Sequence, residues 1–168
     1  QSYPQPGWVE HDPGELLDNV RACFEAAAAA GGVTAAGIAN QGESCLAWDA
    51  DDGTPVGPVI VWQDSRTAGD IARLKADGAE AMTLARAGLP LDPYFSASKL
   101  GWIVRNNAHA QELAASGRLR LGTTDAFFRD RLTGRGVRCS RGRAARSLLQ
   151  PGLSRPRSAQ LARRRLSP

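Results

Sequence analysis

The 168-residue sequence is poor in the residues that build covalent frameworks and metal centres. Its three cysteines, Cys23, Cys45 and Cys139, are too few and too scattered for a disulfide framework or a zinc site. Two histidines, His11 and His109, assemble no His-based metal motif. The most apolar stretch, residues 26–39, is mostly Ala and Gly and falls short of the ~20 residues that span a bilayer, so no membrane role is expected. No secretory leader pattern is present and the chain starts at Gln1, so the expectation is a cytoplasmic protein represented by a fragment. A Gly-x-x-x-x-Gly-Lys-Ser/Thr phosphate loop is also missing.

Acid is absent from one end. All 17 Asp and Glu lie at or before Asp130, alongside ten basic residues, giving that stretch a net charge of −7. Residues 131–168 carry eleven Arg, no Lys and no acid. The overall +4 therefore belongs to the tail, and the acidic body excludes reading the whole chain as a basic nucleic-acid binder.

The body alternates helical and strand patterns. Gln1 to Gly7 reads as an extended lead-in. Asp12, Pro13 and Glu15 mark a helix start, and apolar residues from Leu16 to Ala27 recur at helical spacing up to Gly31-Gly32. Val33 to Ala39 reads as a short buried strand, Ser44 to Asp49 as a second and Val56 to Trp62 as a third. Helical pattern runs from Thr67 to about Ala87 with a break near Gly78, then over Ser96–Asn106 and Ala108–Ser116. Leu119 to Gly122 is a last short strand, and Asp125 to Leu132 a helix closed by Gly134. Mixed strands and helices over this length imply an α/β domain.

Two strands end in polar clusters, which together offer Asn40, Gln41, Glu43, Trp62, Gln63, Asp64 and Arg66. Ligands in α/β domains gather beyond strand ends. A carboxylate accepts hydrogen bonds from vicinal hydroxyls, and an aromatic ring such as Trp62 or Tyr94 packs against their C–H face. That chemistry suits a polyol.

The segment Tyr3-Pro4-Gln5-Pro6-Gly7-Trp8-Val9-Glu10-His11-Asp12-Pro13 resembles the glycerol kinase branch of the FGGY carbohydrate kinase family. So do, in the right order, Gly37 to Gln41, Ile60 to Asp64 with Arg66-Thr67, Leu91 to Ser96 with Lys99, and Gly122 to Asp125 with Leu132-Thr133-Gly134. The resemblance implies an actin-like ATPase architecture. Residues 1–134 would be part of its ribonuclease H-like, substrate-binding N-terminal domain, without its first strand and phosphate loop. It implies transfer of the ATP γ-phosphoryl group to a primary hydroxyl with Mg²⁺, in the glycerol case yielding ADP and glycerol 3-phosphate, by an enzyme that forms homo-oligomers. By the same resemblance Glu43 holds substrate hydroxyls, Trp62 packs on the carbon chain and Tyr94 hydrogen-bonds a hydroxyl. The family Arg preceding that Glu is replaced by Gly42, which leaves space and favours, as an alternative, a longer polyol or a ketose.

The family's catalytic Asp and its ATP-binding domain have no counterpart here, so the chain alone is expected to be inactive and to bind neither ATP nor Mg²⁺. Residues 135–168 are expected to be a disordered Arg-rich tail. Arg without Lys is what a GC-rich gene yields when read out of frame, and a frameshift near 134–137 is the expected origin. The alternative of another class is a non-catalytic fragment whose basic tail binds nucleic acid.

Overall fold

The computed structural model describes residues 1–133, so the Arg-rich tail, its disorder and the closing role of Gly134 lie outside the described residues. A four-stranded antiparallel sheet, in the order β1-β3-β2-β4, is built from β1 (Glu10–His11), β2 (Cys45–Asp49), β3 (Val59–Ile60) and β4 (Leu119–Thr123). Helices α1 (Pro13–Ala29), α2 (Ala68–Ala76), α3 (Glu80–Ala87), α4 (Ser96–Asn106), α5 (Ala108–Ser116) and α6 (Thr124–Thr133) complete it. β2 is the centre of the sheet and pairs with β4 from Cys45↔Thr123 to Asp49↔Leu119.

Side chains alternate across a strand, and β2 buries both faces. Leu46 and Trp48 pack with Leu17 of α1, Val59, and Phe127 and Phe128 of α6. Ala47 faces the opposite way, into Ile60, Ile103, Val104, Ala110, Leu113, Ala114 and Leu119. The sheet is thus covered by α1 and α6 on one side and by α4 and α5 on the other.

Local sequence signals explain most boundaries. The Asp12 side chain caps α1 by accepting from the Glu15 N–H at 2.8 Å, with Pro13 in the first turn. Asn107 caps α5 in the same way, accepting from Ala110 N at 3.0 Å. Gly78, with φ +75°, separates α2 from α3.

Four expectations are corrected. The lead-in is not simply extended: Ser2 pairs with Glu10, and the chain turns back at Gly7, whose φ of +79° lies in the left-handed region. A side chain on Gly7 would also meet Ser65 Oγ at 2.5 Å. The third strand contracts to Val59–Ile60, although Val56 N still donates to Ala47 O and Val61 N to Val9 O. Residues 33–39 form no strand, and Val33 (53 % exposed) and Ile38 (40 %) stay exposed along a groove that faces α1. An apolar run becomes a strand only when a neighbour pairs its backbone, and no described segment does so here. The same lack of cover leaves the apolar stripe of α1 incomplete. Only Pro13 and Leu17 are buried, while Leu16, Val20, Cys23, Phe24 and Ala27 line an apolar groove of about 800 Å³ opposite residues 35–41.

Candidate functional site

The first polar cluster, residues 40–43, precedes β2 and carries a strained position. Glu43 has φ +63° and is the one non-glycine residue with positive φ among the described residues. Such a backbone costs on the order of 1–3 kcal/mol and persists where surrounding contacts fix it. Those contacts are visible: Glu43 Oε2 accepts from Ser96 N at 2.6 Å and from Ser96 Oγ at 2.7 Å, at the first turn of α4. Both of these bonds fall on one oxygen, Oε2.

Trp62 and Tyr94 meet at the same place. Their rings make an edge contact with centroids 5.7 Å apart, and Tyr94 makes another with Phe95 at 5.2 Å. Trp62 is half-buried, whereas Tyr94 is 42 % exposed. The Trp62 N–H donates to Ser44 Oγ, whose hydroxyl in turn donates to Gln41 Oε1 at 2.9 Å. The Tyr94 N–H donates to Asp92 Oδ1 at 2.8 Å. Glu43 reaches this aromatic pair through Ser96, two residues beyond Tyr94. Gly42 is exposed, and a Cβ built there would meet nothing within 4 Å.

The rest of the polar clusters has other work. Asn40 ties the loop to α6 by donating to Asp125 Oδ1 at 2.9 Å and Thr124 Oγ1 at 3.3 Å. Asp64 and Arg66 are buried against each other. The Arg66 guanidinium bonds Asp64 Oδ2 at 2.8 Å and Glu10 Oε1 at 2.7 Å, and it lies over Trp8 (3.8 Å to the ring centroid) and Trp102 (4.8 Å). Asp64 also accepts from Val9 N at 2.7 Å. This assembly pins the N-terminal segment to the end of β3 and leaves neither charge for a ligand.

Two residues that hold this group together, Ser96 and Lys99, have no role assigned from the sequence; Lys99 Nζ donates to the backbone carbonyls of Tyr94 and Trp62. The available signal was a lysine one turn before Ile103, on the buried face of α4. Beneath the site, burial pushes the Cys45 thiol up to about 12, with Lys99 opposing the shift and Glu43 adding to it. Cys45 is thus an inert core thiol. Among the described residues no three His, Cys, Asp or Glu side chains gather to hold a metal, and no helix is long and apolar enough to cross a membrane.

Residues 1–150 match the family model described as the FGGY family of carbohydrate kinases, N-terminal domain. The chain belongs to this family. The match runs past Gly134 into the Arg-rich stretch. FGGY relatives include the glycerol kinase of Ectopseudomonas mendocina, 50% identical over 155 residues that cover 89% of this chain and 31% of that protein. Glycerol kinase 1 of Pseudomonas aeruginosa is 48% identical with the same coverage. Among solved structures, the Plasmodium falciparum glycerol kinase with ADP superposes with a TM-score of 0.71 at 27% identity, over 80% of this chain and 28% of that one. The xylulose kinase of Rhodospirillum rubrum gives 0.60 at 27% identity, over 77% and 26%. The fold is therefore that of the actin-like ATPase sugar kinases. The chain spans about a third of the length of the curated relatives it matches.

Proposed function

We propose that this chain is part of an ATP-dependent carbohydrate kinase whose acceptor is glycerol, with the described residues forming the acceptor cradle. The observation that carries the reading is Glu43. Its carboxylate is anchored by Ser96 at a strained backbone position, beside the Trp62–Tyr94 pair. In this reading Glu43 Oε1 accepts from acceptor hydroxyls, Trp62 covers the C–H face of the carbon chain, and the Tyr94 hydroxyl bonds a further oxygen.

Phosphoryl transfer rests on positioning and charge stabilisation. The residues described here bind and orient the alcohol. The base that takes its proton, and the groups that hold ATP and Mg²⁺, are assigned to the remainder of the intact enzyme, a cytoplasmic homo-oligomer. The 168-residue chain alone is accordingly inactive. A coupled assay for ADP release should stay at background, and ATP-dependent phosphorylation of glycerol by the pure chain would refute that division of labour.

The direct test of the cradle is titration of the ¹⁵N-tryptophan-labelled chain with glycerol. Saturable movement of the Trp62 indole resonance, lost in Glu43→Gln, is the expected result; no movement of Trp62 at any glycerol concentration would overturn it. The open space at Gly42 supports a second reading, in which the acceptor is a longer polyol or a ketose. Tighter binding of xylitol or xylulose than of glycerol in the same titration would favour it.

A further inference from the structure

Lys99 is fully buried, yet among the described residues its ammonium bonds no carboxylate. Its Nζ donates to two backbone carbonyls, Tyr94 O at 2.6 Å and Trp62 O at 3.2 Å. These carbonyls belong to segments far apart in sequence, one just past β3 and the other just before α4, and they are the backbones of the two aromatic residues that meet at the cradle. Burial lowers the Lys99 pKa, with the negative charges of Asp64, Glu43 and Asp92 among the groups that oppose the shift. A buried ammonium is costly, and an apolar residue at this helix position would pack against Ile103 without that cost. What the ammonium supplies, and a methyl does not, is a several-pronged donor that reaches both segments at once.

We propose that Lys99 is a positioning residue for the acceptor cradle: it clamps the Trp62 and Tyr94 backbones together and thereby sets the angle and separation of their rings. The proposal rests on the polyol reading for the ligand but not for the clamp, which is a property of the free chain. Lys99 does not touch the acceptor. It acts through the 5.7 Å Trp62–Tyr94 contact, and through α4 it holds Ser96 where Ser96 meets Glu43.

The test is Lys99→Met in the full 168-residue chain labelled with ¹⁵N-tryptophan. Met keeps a stem of similar length and removes every donor. The Trp62 indole resonance should move without ligand, while that of Trp48, packed on the other face of the sheet against Phe127, should stay. Glycerol affinity should weaken about tenfold. A folded variant with an unmoved Trp62 resonance and unchanged glycerol affinity overturns the clamp. If the resonance moves but the unsubstituted chain shows no saturable response to glycerol, the clamp stands and the polyol reading is what fails. Should Lys99→Met not fold, hydrogen-bond couplings from the Lys99 ammonium to the Trp62 and Tyr94 carbonyl carbons decide the matter in the unsubstituted chain. Their presence supports the clamp and their absence overturns it.

Discussion

Gly42→Arg is the perturbation that most sharply separates glycerol from a larger acceptor. The position is open: a Cβ there meets nothing within 4 Å, and Gly42 is not among the positive-φ glycines. An arginine therefore fits without backbone strain, and replacing glycine should stabilise the fold by about 0.4–1 kcal/mol through the unfolded state. If residue 42 faces the acceptor beside Glu43, the new guanidinium adds a charged hydrogen bond to a hydroxyl. Such a bond contributes about 1.5–3 kcal/mol, or roughly ten- to a hundred-fold in glycerol affinity. The same side chain fills the space that a longer polyol would use, so xylitol binding should fall. The assay is titration of parent and variant with both polyols, with thermal unfolding as the control on folding. A variant that melts at or above the parent but binds glycerol no more tightly would show that residue 42 does not face the ligand. That outcome would remove the structural basis for linking Gly42 to substrate choice.

Three further outcomes follow from the geometry. Glu43→Gln keeps the side-chain length but turns a charged acceptor into a neutral one, roughly halving the strength of both Ser96 bonds; glycerol affinity should drop at least about tenfold, and an unchanged isotherm would count against Glu43 as the hydroxyl acceptor. Arg66→Met strands the buried Asp64 beside Glu10 and should cost about 3–5 kcal/mol in urea unfolding; a loss under about 1 kcal/mol would mean the Trp8–Arg66–Trp102 stack is not what holds the N-terminal segment. His11 has its pKa lowered from 6.5, chiefly by burial. The unfolded chain therefore binds the proton more tightly, so stability contributed by His11 is intact above about pH 6.5 and declines as pH falls through the window below it. Urea midpoints measured across that window should show the decline in the parent and not in His11→Gln.

The parts of the fold legible in the sequence are those specified by neighbours in the chain. The Asp12-Pro13 cap of α1, the Gly78 break and the spans of α4 and α5 each depend on a few consecutive residues, and each appears where the local pattern puts it. The apolar run at 33–39 misled because a short apolar stretch between turn formers has the look of a buried strand, while strand formation is a property of a pair. Val33 and Ile38 have the side chains of a buried strand but, among the described residues, no partner edge. The apolar stripe of α1 is left partly uncovered alongside it, because residues 33–41 stand off the helix across a groove.

The candidate site shows the same division at closer range. Glu43, Trp62 and Tyr94 are readable as residue types that suit a polyol, but what holds them depends on contacts between distant segments. Ser96 meets Glu43 across the gap between β2 and α4, and Lys99 spans Trp62 and Tyr94. Neither pairing leaves a spacing signature. The structure adds two local inconsistencies: a glutamate where the backbone turns left-handed, and a lysine on the buried face of a helix. Each breaks a rule of residue placement at an energetic cost, and in each case the compensating bonds converge on Ser96 or on the aromatic pair. Strain and buried charge concentrated around one small cradle are what a preorganised binding surface requires, because the cost is met on folding and not on binding. The two groups placed at greatest cost to stability are thus the ones whose bonds tie Glu43, Trp62 and Tyr94 to the start of α4.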